Sequence, residues 1–276
     1  MNADLHCHST ASDGLLPADE VVERAHWRGV DMLALTDHDE TVGLAAARER
    51  ARHLGMQFIN GVEISVSWND DTVHIVGLNI DPANPALDAG LSRIRTTRDG
   101  RAQRIAEALE AEGVPDALAG ALKYAGNPAL ISRAHFARYL AALGYARDVK
   151  SVFDHYLATG KPGFVPHAWA TLEEAVDWIT GSGGVAVLAH PGRCRFKGEE
   201  MRDFLRRFRE TGGEGIEVLS GAHSPENTRE MADLAKEFGL LASRASDFHG
   251  PGESRIDLGG MPELPEGLTP VWHRFS

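Results

Sequence analysis

Short apolar runs alternate with amphipathic stretches along most of the chain. The runs at 3–8, 31–36, 57–64, 72–80, 185–189, 215–219 and 240–245 read as buried strands. Between several of them the apolar positions fall at helical spacing. Leu172, Ala175, Val176 and Ile179 form one such stripe, introduced by the capping pair Thr171 and Glu174. Met201, Phe204, Leu205 and Phe208 form a second. Met231, Leu234, Ala235 and Phe238 form a third, with Pro225 placed to open the helix and Gly239 to close it. Strands that alternate with helices predict a parallel sheet, open or closed into a barrel. The alternation breaks after Thr97, where 101–112, 115–124, 132–143 and 147–158 read as helices only. The expected organisation is therefore one α/β domain made of 1–97 and 165–276, interrupted by a helical insertion at 98–164.

Composition narrows the class. The chain has 276 residues, is 43% hydrophobic and 25% charged, and carries a formal charge of −12. It can bury a core, and its acidity argues against a broad basic surface for duplex DNA. Two cysteines, Cys7 and Cys194, make no disulfide framework. The N-terminal sequence lacks the basic and apolar regions of a signal peptide, and no apolar run is long enough for a membrane span. The cytoplasm is the expected location, with no obligate protein partner evident. Thirteen histidines are the unusual feature.

Most of the polar residues that matter sit at expected strand ends. They are His6 and His8 with Asp13; His38 within Asp37-His38-Asp39; Glu63, followed by His74; His190 before Pro191 and Gly192; and Asp247 with His249. Residues i and i+2 of a strand share a face, so His6 and His8 can reach one ion, as can Asp247 and His249. Cys7 faces the opposite way. In parallel α/β folds functional groups gather at the carboxyl ends of strands. Imidazole and carboxylate suit Zn, Mn and Fe. Nine candidate ligands exceed one tetrahedral site and suit two or three ions sharing bridges. A lone histidine of this kind is more often a buried, hydrogen-bonded side chain. Five such clusters are not explained that way, because unpaired buried polar groups cost several kcal/mol each.

With His6-x-His8, Thr36-Asp37-His38, Gly61-Val62-Glu63, His74, Ala189-His190-Pro191 and Asp247-Phe248-His249 in place, the sequence resembles the PHP (polymerase and histidinol phosphatase) family of metal-dependent phosphoesterases. The resemblance implies a distorted (β/α)7 barrel with a helical insertion. It implies a trinuclear site ligated by His6, His8, Asp13, His38, Glu63, His74, His190, Asp247 and His249, with Glu63 bridging. The helical insertion resembles the branch of 3′,5′-nucleotide bisphosphate phosphatases and 5′→3′ exoribonucleases. That implies removal of a 3′-phosphate from a nucleoside bisphosphate, and attack on 5′-phosphorylated short RNA. Mn is the first choice of metal, with Fe, Zn and Mg as alternatives.

Two further sets of residues follow from this chemistry. A leaving ribose oxygen needs a proton, for which His223 and Asp39 are candidates. A second phosphate needs cations. Arg104, Arg133, His135, Arg138 and Lys161 in the insertion, and Arg193 beside His190, are the candidates, since guanidinium forks match phosphate. Competing expectations are a histidinol-phosphate or other small phosphomonoesterase, a non-catalytic metal-binding accessory domain, and a metallohydrolase of C–N bonds. The last would want a bridging lysine in strand context, which 165–245 lacks.

Overall fold

A computed structural model describes residues 1–275, the side chain of Asp99 excepted. Seven strands follow one another around a single sheet: β1 (Ala3–Asp4), β2 (Met32–Leu35), β3 (Gln57–Trp68), β4 (Asp71–Leu78), β5 (Val185–Leu188), β6 (Gly215–Ser220) and β7 (Leu241–Ala245). The chain beyond β1 closes the ring onto β7. Leu5 N–H donates to Arg244 O, and His8 N–H to Phe248 O, at 3.0 and 2.8 Å. Helices α1 (Ala18–Trp27), α2 (Leu44–Leu54), α7 (Leu172–Gly181), α8 (Glu199–Glu210) and α9 (Pro225–Glu237) accompany the strands.

The sheet is not wholly parallel. β4 runs antiparallel to both β3 and β5, while the other neighbouring pairs are parallel. The cause is local. Trp68 pairs with Asp71 across a two-residue turn, and Asn69 takes φ +50°, a conformation asparagine tolerates. Reversal has a consequence for the site. The start of β4, with His74, lies at the end of the barrel where the other strands finish.

Side-chain alternation sorts each strand into an inner and an outer face. On β5, Val185 and Val187 face a small inner core with Ala3, Met32, Ile59, Val76 and Val271, while Ala186 and Leu188 join the larger outer core beneath the helices. On β3, Val62, Ile64 and Val66 belong to the outer core, which leaves Gly61, Glu63 and Ser65 on the inner face. Apolar residues fill the lower barrel, and polar ones line its upper mouth.

The insertion has its own core. Helix α3 (Pro85–Ala111) is one 27-residue helix, capped by Asn84, where the sequence reading began a helix at 101. Leu87, Leu91 and Ile94 of α3 pack on the barrel. Ala102, Ile105, Ala106 and Leu109 instead pack with Ala117 and Ala121 of α4 (Ala117–Leu122), Phe136 and Leu140 of α5 (Arg133–Ala142) and Val152 of α6 (Val149–Val152). The same helix therefore serves both cores. A single π-helical turn, Phe153–Leu157, follows α6.

Candidate metal centre

The side chains at the barrel mouth are positioned by backbone features that the fold imposes. Asp37, after β2, accepts from Ser9 N, Ser9 Oγ and Ser12 Oγ at 2.8, 2.7 and 2.6 Å, which pins the loop leading to Asp13. His190 follows β5 with φ +27°, and its N–H donates to Glu217 Oε2 at 2.7 Å. Asp247 follows β7 with φ +54°. Of six non-glycine residues with positive φ among those described, Asp39, His190 and Asp247 lie here, so strain is concentrated at this end of the barrel.

The nine candidate ligands converge on one cluster. Glu63 is at its middle. Its Oε1 lies 2.9 Å from His74 Nδ1 and from His190 Nε2, and 3.3 Å from His6 Nε2. Its Oε2 lies 2.7 Å from His38 Nδ1 and 3.5 Å from His8 Nε2. Asp247 Oδ1 lies 3.4 Å from His8 Nε2 and 3.5 Å from His249 Nδ1. Three subsets bring their ligand atoms within 4.8 Å of one another: His8, Asp13, His38 and His249; His6, His8 and Asp247; and His38, Glu63 and His74. His190 belongs to none of these subsets, but its Nε2 faces His74 Nδ1 at 3.3 Å.

These residues fit divalent cations. His6 Nδ1 must donate to Glu217 Oε1, 2.6 Å away, when that carboxylate is ionised. In the neutral ring the Nε2 lone pair then points into the cluster, 3.1 Å from His8 Nε2. Two facing imidazole nitrogens can share at most one proton, whereas a cation accepts both lone pairs. Asp13 Oδ1 and His8 Nδ1 are buried without a hydrogen-bond partner. Separations of 2.7–3.8 Å among the cluster's nitrogens and oxygens suit atoms sharing one ion at about 2.1 Å.

Electrostatics give the same demand. Burial pushes the carboxyls of Glu63 and Asp247 up, yet the imidazoles around Glu63, and Arg193 with the imidazoles around Asp247, hold both well below the usual range. Burial pulls His38 down, but Glu63 and Asp13 outweigh it and push the imidazole up to about 9. His6 is likewise raised, against its burial, by Glu63 and Glu217. The carboxylates call for positive charge, and a divalent ion can take the place of those protons. Glu217, in the middle of β6, is a further member of this network. Its inward position, between the outward Ile216 and Val218, was the available signal.

The expected proton donors do not stand free at a rim. Asp39 is buried, accepts from Ser65 N and Ser65 Oγ at 2.8 and 2.9 Å, and pairs with Arg98. Its carboxylate is committed to holding that arginine. His223 is buried, donates from Nδ1 to Val218 O at 3.1 Å, and accepts Gly192 N–H on Nε2 at 3.1 Å. It supports the turn after His190 and keeps no proton on Nε2 to give.

The cation set is also rearranged. Arg138 is already engaged: Nε and Nη2 hold Glu253 at 2.8 Å, Nη2 also reaches Asp13 O at 2.6 Å, and Nη1 is buried without a hydrogen-bond partner. Arg193 pairs with Asp247 Oδ2 at 2.9 Å. Lys161 and Arg104 are exposed. His135 is fully buried, accepts Ser132 N–H on Nδ1 at 2.9 Å, and leaves Nε2 without a partner. Burial, followed by Arg138 and Arg98 against an opposing pull from Asp13, takes its pKa down to about 4. Arg133 lies over the Phe153 ring and donates to Leu157 O at 3.3 Å.

Arg101 belongs to the basic run of the insertion but is not among the residues chosen from the sequence to hold a second phosphate. It is 8% exposed, lies over Trp169, and donates to Val165 O. Burial and then the neighbouring charges of Arg133, Arg98 and Arg104 push its pKa down to about 9. Among the described residues, no carboxylate lies within 4.0 Å of the side-chain nitrogens of Arg101 or Arg133. Phe136 is buried in the insertion core and Trp68 packs edge-on against Phe204, so neither presents a free face for stacking a base.

Known proteins resemble this chain over nearly its whole length. The PHP domain model matches residues 4–220. A 3′,5′-nucleoside bisphosphate phosphatase of Chromobacterium violaceum is 50% identical over 275 residues, covering 100% of this chain and 96% of that protein. The 5′-3′ exoribonuclease Rnm of Escherichia coli K12 is 44% identical over 275 residues, covering 99% and 93%. A solved structure from C. violaceum, described as an amidohydrolase with bound sulfate and no metal, is 50% identical and superposes with a TM-score of 0.96 over 99% of this chain and 95% of its own. Another from Bifidobacterium adolescentis, described as a metal-dependent phosphoesterase, is 28% identical with a TM-score of 0.84 over 99% and 96%.

Proposed function

The chain belongs to the PHP domain family, and from that premise we propose that it is a metal-dependent phosphoesterase that removes the 3′-phosphate of nucleoside 3′,5′-bisphosphates. The products are a nucleoside 5′-monophosphate and inorganic phosphate. The same bond cleavage acts on short single-stranded RNA bearing a 5′-phosphate, releasing its first nucleotide. The relatives described as a bisphosphate phosphatase and as an exoribonuclease support both substrates.

One observation carries the substrate reading. Among the described residues, neither the buried Arg101 nor the half-buried Arg133 has a carboxylate within 4.0 Å, in a chain of net charge −12. An anion is what such a pair lacks. The 5′-phosphate is that anion, with the exposed Arg104 and Lys161 drawing it in. His135 offers a neutral Nε2–H beside this region. The 3′-phosphate then sits against His6, His8, Asp13, His38, Glu63, His74, His190, Asp247 and His249. These side chains would hold two or three divalent ions, Mn by preference, which when bound would lower the pKa of a water and offset charge on the phosphoryl oxygens. Glu63 is central enough to bridge ions, and Glu217 orients His6. Residues 98–164 act as the substrate lid of a barrel formed by 1–97 and 165–276. No helix among the described residues is long and apolar enough to cross a membrane. The cytoplasm remains the proposed location.

The test compares adenosine 3′,5′-bisphosphate, a 5′-phosphorylated short RNA and histidinol phosphate on the Mn-loaded protein. AMP from the first and 5′-mononucleotides from the second are expected. Turnover of histidinol phosphate alone would discard the nucleotide reading while leaving the metal-dependent one.

A further inference from the structure

The helical insertion does more at the barrel mouth than overhang it. Three side-chain hydrogen bonds tie it to the loop that carries Asp13. Asn127 Nδ2 donates to Ala11 O at 3.1 Å, Ser132 Oγ to Asp13 Oδ2 at 3.0 Å, and Arg138 Nη2 to Asp13 O at 2.6 Å. The approach is close: a Cβ on Gly126 would stand 2.7 Å from Thr10. The Ser132 bond fixes the rotation of the Asp13 carboxylate. With Oδ2 occupied, the buried and unpartnered Oδ1 faces His249 Nε2 at 3.5 Å and His38 Nε2 at 3.8 Å. Arg138 also grips Glu253 through Nε and Nη2. The neighbouring Ser254 Oγ accepts the N–H groups of His249 and Gly250 at 2.7 and 3.2 Å, so the turn held by Arg138 is the one that seats His249. The other two subsets have barrel anchors instead. Glu63 is in β3, and Glu217 in β6 holds His6 and the backbone of His190.

We propose that α5 is a positioning helix for one cation subsite: Ser132 and Arg138 set Asp13 and His249 so that His8, Asp13, His38 and His249 close on an ion only when the insertion is docked. This rests on the metal-dependent reading above. Ser132 and Arg138 touch no substrate in this role; they act through Asp13 and the His249 turn.

The experiment measures Mn content per chain after dialysis against graded chelator. Ser132→Gly removes the hydroxyl, and glycine is a tolerable helix cap, so α5 keeps its start. One ion should leave Ser132→Gly at an affinity about 10- to 100-fold lower than in the wild type, the usual cost of losing a group that orients a ligand. The remaining ions should leave at unchanged chelator concentration. Ser132→Thr should restore the wild-type curve, and Arg138→Met should repeat the selective loss. Circular dichroism and thermal unfolding of the metal-free variants identify a folding defect. A Ser132→Gly curve that overlays the wild type, or a uniform loss of all ions that threonine does not restore, overturns the inference while the metal reading stands. A wild-type protein that takes up no Mn overturns both.

Discussion

Arg101 and Arg104 separate burial from exposure within one helix. Arg101 is desolvated among like charges, and Arg104 projects to solvent, with Nε on Gly100 O at 3.2 Å. A charge-assisted hydrogen bond to a phosphate is worth about 1.5–3 kcal/mol, and more where water is excluded. Arg101→Met should therefore raise KM for adenosine 3′,5′-bisphosphate by about 10- to 100-fold, and Arg104→Ala by much less. Neither should change KM for a simple aryl phosphate, which has no second phosphate to place. Equal effects on both substrates, read from steady-state kinetics, would remove the 5′-phosphate pocket. His135 yields a pH prediction. Its folded pKa of about 4 lies below the ordinary 6.5, chiefly through burial, so the unfolded chain binds the extra proton first. Its contribution is intact above pH 6.5 and is lost as pH falls toward 4. At pH 5 this single group should cost about 2 kcal/mol relative to pH 7. His135→Gln keeps an acceptor for the Ser132 N–H, as glutamine does in capping boxes. Urea unfolding of metal-free protein should show a smaller pH 7 to pH 5 loss in that variant by about this amount; an unchanged loss would mean His135 is not the group responsible.

At the scale of elements, the sequence was most legible where chemistry and local geometry coincide. His6-x-His8 puts two imidazoles on one face of an extended segment, so their convergence could be expected before any tertiary contact was known; Asp247 and His249 also converge, but through a left-handed Asp247 at φ +54° rather than by strand alternation. The capping pair at Thr171 and Glu174 forms as read. What was not legible depends on partners far along the chain. Asp39 looked free because Arg98 is 59 residues away, and Arg138 looked available because Glu253 is 115 away. Glu217 carries no local sign of its partner, because the His6 it holds lies 211 positions away. The reversed β4 is a different kind of miss. Asn69-Asp70 between two strand-like runs was a hairpin signal, but the α/β alternation elsewhere favoured a parallel assignment. The long α3 was obscured because its apolar face changes cores part-way, from the barrel to the insertion, and no single stripe runs its full length.

For the whole molecule, α5 is where two binding events meet. Its start holds Asp13 through Ser132, its first residue is Arg133, which has no carboxylate within 4.0 Å among the described residues, and Arg138 grips the turn after β7. A 5′-phosphate on Arg101 and Arg133 and an ion on Asp13 then both favour the docked insertion. Two ligands that favour one arrangement raise each other's affinity, and by the same factor. AMP carries the 5′-phosphate without the 3′-phosphate, so it tests the link without turnover. Saturating AMP should tighten retention of one Mn ion by about fivefold or more, the lower end of usual couplings. Saturating Mn should tighten AMP, measured by calorimetry, by an equal factor. Ser132→Gly leaves the arginines and the imidazoles in place, so its coupling factor should shrink toward one. AMP affinity that is the same with and without Mn would show that the insertion serves the two sites independently.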